Sequence, residues 1–252
     1  MKSSQGIRIK SPIEVDILRK AGKILSSIVG QLQSSLTSGM TTKDIDLKAQ
    51  ELIQKNNVVA AFKGYHGFPG AACVSVNEGV VHGIPGKRVI CNGDIVSIDI
   101  GIIYEGYYSD MAVTVPIGTP SVEIRRLLDV TRESLYRGID QAREGRRLSD
   151  ISFAVQNFVE MHGFSVVRDF VGHGIGRALH EDPEIPNYGR PSEGPVLAEG
   201  MVFAIEPMVN MGTHRTRTLA DGWTVVTEDG KPSAHFEHTI AITSKGPEIL
   251  TQ

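Results

Sequence analysis

The sequence predicts an α+β fold, in which an antiparallel sheet is covered by helices. Two helical segments come first and short strand-like runs follow, and the second half of the chain repeats that order. Helices and strands that are segregated along the chain are typical of this class, whereas a strictly alternating order would favour a parallel sheet. The repeated order also suggests an internal duplication with a site between the halves, although no repeat of individual residues accompanies it.

The first helix is predicted from a start signal at Ser11. A proline follows at the first helical position and Glu14 stands three residues on, which together make a capping box. Apolar residues then recur at helical spacing as far as Leu36, and Gly39 is a stop signal. A second helix is predicted from about Thr42 to Lys55.

Similar patterns predict the remaining elements. In the second half, helical spacing covers about residues 120–143 and 148–162, with Gly145 between them. Strands are predicted at residues 72–76, 95–103, 107–115, 201–209, 223–227 and 235–243.

The length and composition are those of an ordinary globular protein. Hydrophobic residues make up 40% and charged residues 22% of the 252 positions, so disorder is not indicated. No low-complexity linker divides the chain. We therefore expect one domain over residues 1–252, with pseudo-symmetric halves at roughly 11–118 and 119–252.

The charge balance and the cysteine count limit the classes of function. A net charge of −3 and a pI near 6.2 argue against nucleic acid or a membrane surface as the main partner. Cys73 and Cys91 do not form a C-x-x-C pair, so we expect reduced thiols in the cytoplasm. The segment up to Lys10 has no apolar leader pattern, and no apolar run approaches the roughly 20 residues of a membrane span.

The stretch that leads from Asp94 to Asp110 carries the clearest chemical pattern. In the strand from residue 95, aliphatic residues occupy one face and Asp99 lies on the other. A turn around Glu105 would bring Asp110 almost opposite Asp99. Two facing carboxylates repel each other, so a divalent metal between them is the simplest interpretation, and two solvated aspartates on an exposed hairpin are the alternative.

Three further clusters contain possible ligands. His173 stands between Gly172 and Gly174, which would let the backbone approach a ligand closely, and a glycine-rich turn with a surface histidine is the alternative. Glu206 interrupts an apolar strand, where an unpaired buried acid is costly, although Pro207 also permits an edge strand with this acid in water.

The last cluster contains Glu237, which alternation places on one face with His235 and Thr239. Alone, this acid or the isolated His82 would indicate little. Together, three or four carboxylates with one or two histidines are typical of a two-metal hydrolytic site for Mn, Fe(II), Co or Zn. No H-E-x-x-H, G-x-S-x-G or Walker-type motif supports another chemistry.

Four segments resemble those of the type I methionine aminopeptidases, in matching order and spacing from about Ser11 to Thr251. These segments are residues 77–85, 93–99, 172–176 and 205–207. The resemblance implies a pita-bread fold, with helices outside a curved antiparallel sheet that has pseudo-twofold symmetry. Too few positions separate His180 from Glu206 for the insertion of the type II enzymes, so the short bacterial form is expected.

The same resemblance implies which residues hold the two metal ions. Asp110 and Glu237 would bridge both ions, Asp99 would bind one ion, and His173 and Glu206 would bind the other. A water held between the ions would attack the peptide bond that follows an N-terminal methionine, with a small second residue preferred.

The resemblance also assigns catalytic roles to one of the ligands, Glu206, and to two histidines that are not ligands, His82 and His180. Glu206 would move a proton from the water to the leaving amine, His180 would stabilise the oxyanion, and His82 would bond the scissile amide nitrogen. The methionine pocket maps onto Tyr65, Phe68, Cys73 and Trp223, for which ordinary core packing is the alternative. Phe62 and Leu179 stand where some relatives have cysteine and phenylalanine.

Three rival functions are kept as alternatives. An Xaa-Pro aminopeptidase or prolidase would share the fold but usually has a further N-terminal domain. A non-catalytic binding module would be expected to lose metal ligands. A protein that binds the ribosome or nucleic acid would need a basic patch. The expected partner is the N-terminal methionine of new polypeptides, and a transient ribosome contact and a monomeric state are also expected.

Overall fold

The order of elements is helices, strands, helices, strands, as the sequence predicts. The computed structural model describes residues 6–252, so the first five residues of the expected domain lie outside the described part. The expectation that no leader precedes Lys10 falls partly on those five residues. The helices are α1 Pro12–Ser35, α2 Thr42–Lys55, α3 Val122–Gln141 and α4 Leu148–Met161. None of the helices in residues 6–252 is long and apolar enough to cross a membrane.

Fifteen strands are assigned within the described residues. They are β1 Val59–Ala60, β2 Cys73–Val76, β3 Gly79–Val81, β4 Ile95–Tyr104, β5 Tyr107–Pro116, β6 Ser165–Val166, β7 Gly172–Gly174, β8 Glu181–Ile185, β9 Val202–Ile205, β10 Met208–Asn210, β11 Thr216–Thr218, β12 Val225–Thr227, β13 Ser233–His235, β14 His238–Thr243 and β15 Gly246–Ile249. Every pair among them is antiparallel.

Both helices of the first half begin at capping boxes. The Ser11 hydroxyl accepts a hydrogen bond from the Glu14 N–H, and the Glu14 carboxylate accepts one from the Ser11 N–H. Thr41 and Asp44 repeat this arrangement at the start of α2. These reciprocal bonds satisfy backbone donors that have no partner within the helix. Both helices begin where the sequence predicts.

The hairpin β4–β5 is the longest pairing and follows the predicted turn. Glu105 and the glycine after it form the turn with positive φ angles of 50° and 78°. The register pairs Asp99 with Ala112 and Gly101 with Asp110. Asp110 is therefore diagonal to Asp99 on one face of the hairpin rather than directly opposite it.

The predicted strands 201–209 and 235–243 are each wrong as continuous elements. The first is β9 and β10 with a break at Glu206 and Pro207, and the second is β13 and β14 with a break at Phe236 and Glu237. β9 pairs with β14 in a five-stranded sheet of order β15-β14-β9-β7-β8, whereas β10 pairs with β13 in a three-stranded sheet. Both acids thus lie where the chain passes from one sheet to another.

Two apolar clusters fill the halves and a third joins them. In the first half, Leu25 and Ile28 of α1 pack with Ile98 of β4. In the second half, Val155 of α4 packs with Phe203 of β9. Each such side chain contributes roughly 1.5–3 kcal/mol when fully buried.

The joining cluster lies near the chain ends and beside the cavity described below. Leu18 of α1, Ile175 after β7, Ala241 of β14 and Leu250 all belong to it. Residues from both halves therefore share one packed interface, and the strands that carry the acids are fixed relative to each other.

Candidate metal centre and substrate pocket

All predicted site residues line one cavity of about 400 Å³, a size that suits a small ligand. Its lining includes the five predicted metal ligands, the two predicted catalytic histidines and the six residues predicted at or beside the methionine pocket. These are Asp99, Asp110, His173, Glu206 and Glu237; His82 and His180; and Phe62, Tyr65, Phe68, Cys73, Leu179 and Trp223.

Asp110, His173 and Glu237 form the centre of the site. Each is buried, and one possible ligand atom from each lies within 4.8 Å of the others. They come from β5, β7 and the break between β13 and β14. The Thr239 hydroxyl accepts a bond from the Asp110 N–H at 3.0 Å and donates to its carbonyl at 2.8 Å, which fixes β5 beside that break.

Asp99 and Glu206 extend this centre on two sides. Asp99 lies on β4, diagonal to Asp110. Glu206 Oε1 is 3.5 Å from His173 Nε2, and its backbone carbonyl accepts a hydrogen bond from Asn187 at 3.0 Å. The five groups thus converge from both halves of the chain.

The glycines beside His173 have a different role from the one predicted. A Cβ on Gly172 would lie 2.4 Å from the Ala204 carbonyl oxygen, and one on Gly174 would lie 2.2 Å from the Asp182 carbonyl oxygen. These glycines let neighbouring strands approach β7 closely, and that packing positions the imidazole.

Burial raises the pKa values of all four acids, and repulsion from neighbouring carboxylates adds to this for Asp99, Glu206 and Glu237. For Asp99 and Glu237 the causes are burial and the neighbouring carboxylates, and for Glu206 they are burial and Asp110. Burial raises the pKa of Asp110 from 3.8 to about 7, against the lowering effect of the Met111 N–H and of Asp99. The acids therefore lack a positive partner.

The surroundings of His173 favour a neutral imidazole that can bind a metal ion. Burial, with His180 beside it, lowers its pKa to about 4. Its Nδ1 lies 2.9 Å from the Gly174 carbonyl oxygen, which can only accept a hydrogen bond. Nδ1 therefore carries the proton, and the Nε2 lone pair faces Glu206.

The residues fit divalent cations. Asp99 Oδ1 and Glu237 Oε1 are buried without a hydrogen-bond partner. No lysine or arginine within residues 6–252 forms an ion pair with any of the four acids. Unpaired buried carboxylates are costly. Cations held by these oxygens and one imidazole would give the unbonded oxygens a partner and balance the negative charge. The oxygen-rich set suits Mn, Fe(II), Co or Zn.

Aromatic and apolar side chains form the other wall of the cavity. Phe68 and Trp223 meet edge to face, with ring centroids 5.2 Å apart. Phe62 covers Gly101, where a Cβ would lie 2.7 Å from the phenyl ring. Cys73 is buried in the same wall, and burial raises the pKa of its thiol, so it stays an uncharged thiol. The wall suits an apolar, unbranched side chain.

The two predicted catalytic histidines, His82 and His180, differ from each other in their surroundings. His82 has a positive φ of 57° and its ring lies 5.4 Å from that of Phe170, where burial and His180 lower its pKa to about 4. His180 stands at the exposed rim, with its ring 4.4 Å from that of His173 and its Nδ1 2.7 Å from the Tyr65 hydroxyl. Burial and then His66 lower the pKa of His180.

Several residues at the site were not predicted. Asp169 and Phe170 line the cavity. His235 is fully buried, and its unpartnered Nε2 lies 3.7 Å from Glu206 Oε2. No local pattern identifies these residues, although Phe170 shortly precedes the glycine-flanked His173.

Comparisons with known proteins agree with this geometry. The model of metallopeptidase family M24 matches residues 16–244. The chain is 54% identical to a methionine aminopeptidase of Clostridium perfringens, over 97% of this chain and 98% of that protein. It is 55% identical to methionine aminopeptidase 1 of Bacillus subtilis, over 96% and 98%.

Solved structures give the same result. A methionine aminopeptidase from Thermotoga maritima superposes with a TM-score of 0.96 at 50% identity, over 98% of this chain and 99% of that chain. A prolidase from Pyrococcus furiosus superposes with a TM-score of 0.77 at 25% identity, over 97% of this chain and 65% of that chain. The predicted pita-bread fold is confirmed.

Proposed function

This chain belongs to metallopeptidase family M24, and from that premise we propose that it removes the N-terminal methionine from peptides and nascent proteins. The observation that carries the proposal is the single cavity in which buried acids and His173 face an apolar pocket. The identity to methionine aminopeptidases over nearly the whole chain supports the same activity.

Asp99, Asp110, His173, Glu206 and Glu237 would hold two divalent ions. Asp110 and Glu237 are the proposed bridging ligands, a role that suits acids at the centre of the cluster. When bound, the ions supply a water-derived nucleophile at neutral pH and polarise the scissile carbonyl. The acids' raised pKa values and unpaired oxygens support this ligand set.

Glu206 is the proposed carrier of the proton between the water and the leaving amine. Its carboxyl group lines the cavity, with Oε1 3.5 Å from Nε2 of His173, which would place it beside a water held at the metal centre. His180, at the rim, would donate a hydrogen bond to the developing oxyanion. His82, which also lines the cavity, would bond the scissile amide nitrogen.

The pocket walls would select methionine and a free amino terminus. Tyr65, Phe68, Cys73 and Trp223 give an apolar cleft for the thioether side chain. Asp99 lies on β4 and lines the cavity, and we place the substrate's α-amino group near it. A charged amine there would explain cleavage after the first residue only.

Further proposals concern organisation and location. We propose a single domain with pseudo-symmetric halves near residues 11–118 and 119–252, supported by the apolar cluster that both halves share. A monomer is proposed because one chain supplies all five ligands. A cytoplasmic location and a transient ribosome contact are proposed from the nature of the substrate.

The test is peptide cleavage by metal-stripped protein, followed by separate additions of Mn, Co, Fe(II) and Zn. The peptides are Met-Ala-Ser, Met-Lys-Ser and Ala-Pro-Ser. We expect metal-dependent release of methionine from Met-Ala-Ser, with much slower release from Met-Lys-Ser. Cleavage of Ala-Pro-Ser instead would assign the chain to the proline-directed branch that the prolidase likeness represents. No cleavage with any metal would favour a binding module.

A further inference from the structure

The hydroxyl of Tyr65 makes one long-range contact, to the rim histidine. It lies 2.7 Å from Nδ1 of His180, which is 115 positions away along the chain. Tyr65 belongs to a short 3₁₀ turn, Tyr65–Gly67, whereas His180 directly precedes β8. The contact therefore joins the aromatic wall to a histidine that stands against the metal centre, with its ring 4.4 Å from that of His173.

The chemistry of the two groups sets the direction of this bond. A phenol is protonated at neutral pH, and an imidazole lone pair is a better acceptor than a phenol oxygen. The Tyr65 hydroxyl therefore donates and His180 Nδ1 accepts. In a neutral imidazole only one nitrogen carries the proton, so the proton is then on Nε2. His180 Nε2 has no hydrogen-bond partner among residues 6–252.

We propose that the Tyr65 hydroxyl is a positioning group that holds His180 in the Nε2–H tautomer, which leaves Nε2–H as a free donor for the oxyanion. This inference rests on the proposed function, because it refines how His180 acts in the same reaction. Without the hydroxyl, the proton could move to Nδ1 and the ring could rotate, and a lone pair would then face the developing negative charge.

The competing explanation is that Tyr65 only lines the methionine pocket. Phe68 shows that a phenyl ring without a hydroxyl fits the same wall. If lining were its whole role, the Tyr65 hydroxyl would be dispensable. Tyr65→Phe removes the hydroxyl and keeps the ring, so this variant separates the two explanations.

The kinetic test uses Met-Ala-Ser and the metal that gives the highest rate. We expect Tyr65→Phe to lower kcat about tenfold, with KM within about twofold of the original, because a transition-state donor is lost and pocket volume is kept. In a His180→Ala background, Tyr65→Phe should have no further effect, since the two residues act as a unit. An equal loss in both backgrounds, or an unchanged kcat, would overturn the proposal.

Tyr108→Phe is the matched control. Tyr108 is a half-buried tyrosine in the same apolar cluster, and its hydroxyl has no hydrogen-bond partner among the described residues. The control should leave kcat and KM unchanged. A loss equal to that of Tyr65→Phe would show that any missing hydroxyl in this cluster has the same effect, and would refute a specific role for Tyr65.

A spectroscopic measurement tests the tautomer directly. Side-chain ¹⁵N NMR of histidine-labelled, zinc-loaded protein should show His180 with a bare Nδ1 and a protonated Nε2, the signal being assigned by its loss in His180→Gln. Tyr65→Phe should shift this signal toward mixed tautomers. A protonated Nδ1 in the unmodified protein would refute the inference whether or not any peptide is cleaved, so its failure is distinguishable from failure of the proposed function.

Discussion

Two regions of the molecule bury carboxylates, and they hold them in opposite ways. Asp46 of α2 is fully buried and accepts four hydrogen bonds. The donors are the Ala71 N–H at 2.7 Å, the Ala72 N–H at 3.2 Å, and Lys43 Nζ and Gln50 Nε2 at 2.8 Å each. This group of five residues, here called the Asp46 anchor, satisfies its charge internally.

The four acids of the candidate metal centre, here called the acid cluster, have few such partners, although Asp110 accepts a hydrogen bond from the Met111 N–H at 3.1 Å. They repel one another, and oxygens of Asp99 and Glu237 have no hydrogen bond. Burial of a charge therefore does not by itself mark a functional site. A buried acid whose hydrogen bonds are all satisfied stabilises the fold, whereas buried acids that repel one another and lack partners indicate a ligand-binding site.

The largest expected effect comes from removing one acid at the centre of the cluster. Asp110→Asn should lower peptide cleavage at least about a thousandfold, because a proposed bridging ligand is lost. Bound metal, measured by elemental analysis after dialysis, should fall below that of the original protein. Full metal content with near-normal activity would remove Asp110 from the ligand set.

Asp169→Asn is the control for that change. Asp169 lines the same cavity but is exposed and bonds the Thr216 hydroxyl instead of the acid cluster. Its variant should keep the bound metal. Loss of metal in both variants would show a general effect of negative charge in the cavity rather than coordination.

The next effect is a pair of stability changes of opposite sign. In metal-free protein, Asp46→Asn should lower the free energy of unfolding by roughly 2–3 kcal/mol, because two side-chain donors then face an amide N–H₂. Glu237→Gln should raise it by roughly 1–2 kcal/mol, because repulsion in the acid cluster is relieved.

Thermal unfolding in the presence of a chelator measures both changes. At about 2–4 °C per kcal/mol for a chain of this size, the melting temperatures should move apart by several degrees. The distinction between the two regions is lost if both variants are destabilised by the same amount.

The smallest expected effect is the pH dependence of the stabilisation by Glu237→Gln. Because the folded pKa of Glu237 is raised above 4.5, the unfolded chain ionises first as pH rises, and the cost of burying this acid grows with pH. The stabilisation by Glu237→Gln should therefore be small at pH 5 and larger at pH 8. Denaturant titrations of both metal-free proteins at each pH measure it, and a gain that shrinks as pH rises would contradict the raised pKa.

The sequence could predict the elements whose signals are local. The capping boxes at Ser11 and Thr41 begin helices through residues three positions apart, and the alternation in β4 needs only its own ten residues. These local signals, with the repeated order of elements, were sufficient for the fold class.

The breaks at Glu206 and Glu237 could not be predicted in the same way. Both acids stand in strand-like runs that continue on either side of them, and the break depends on which strands pair with each side. Pairing between distant segments leaves no local pattern. Pro207 is the one local signal of a break, and in the sequence it supports an edge strand only as the alternative to a paired or metal-bound Glu206.

The residues of the candidate site also differ in whether a local sequence pattern identifies them. Local patterns singled out the five predicted ligands, the family resemblance assigned their roles, and the structure brings them into one cavity. Asp46 and His235 were not singled out, because their roles depend on partners 25 or more positions away or in another sheet. Nothing in their own neighbourhoods distinguishes them.

The convergence of the acid cluster from both halves has a consequence for folding. An ion held by Asp99 of β4 and Glu237 before β14 would cross-link distant parts of the chain only in the native state. A ligand that binds the folded state alone stabilises it by about 2.7 kcal/mol when its free concentration is 100 times its Kd. The concentration of free divalent ion would therefore affect how long each molecule resists proteolysis, as well as its rate of peptide cleavage.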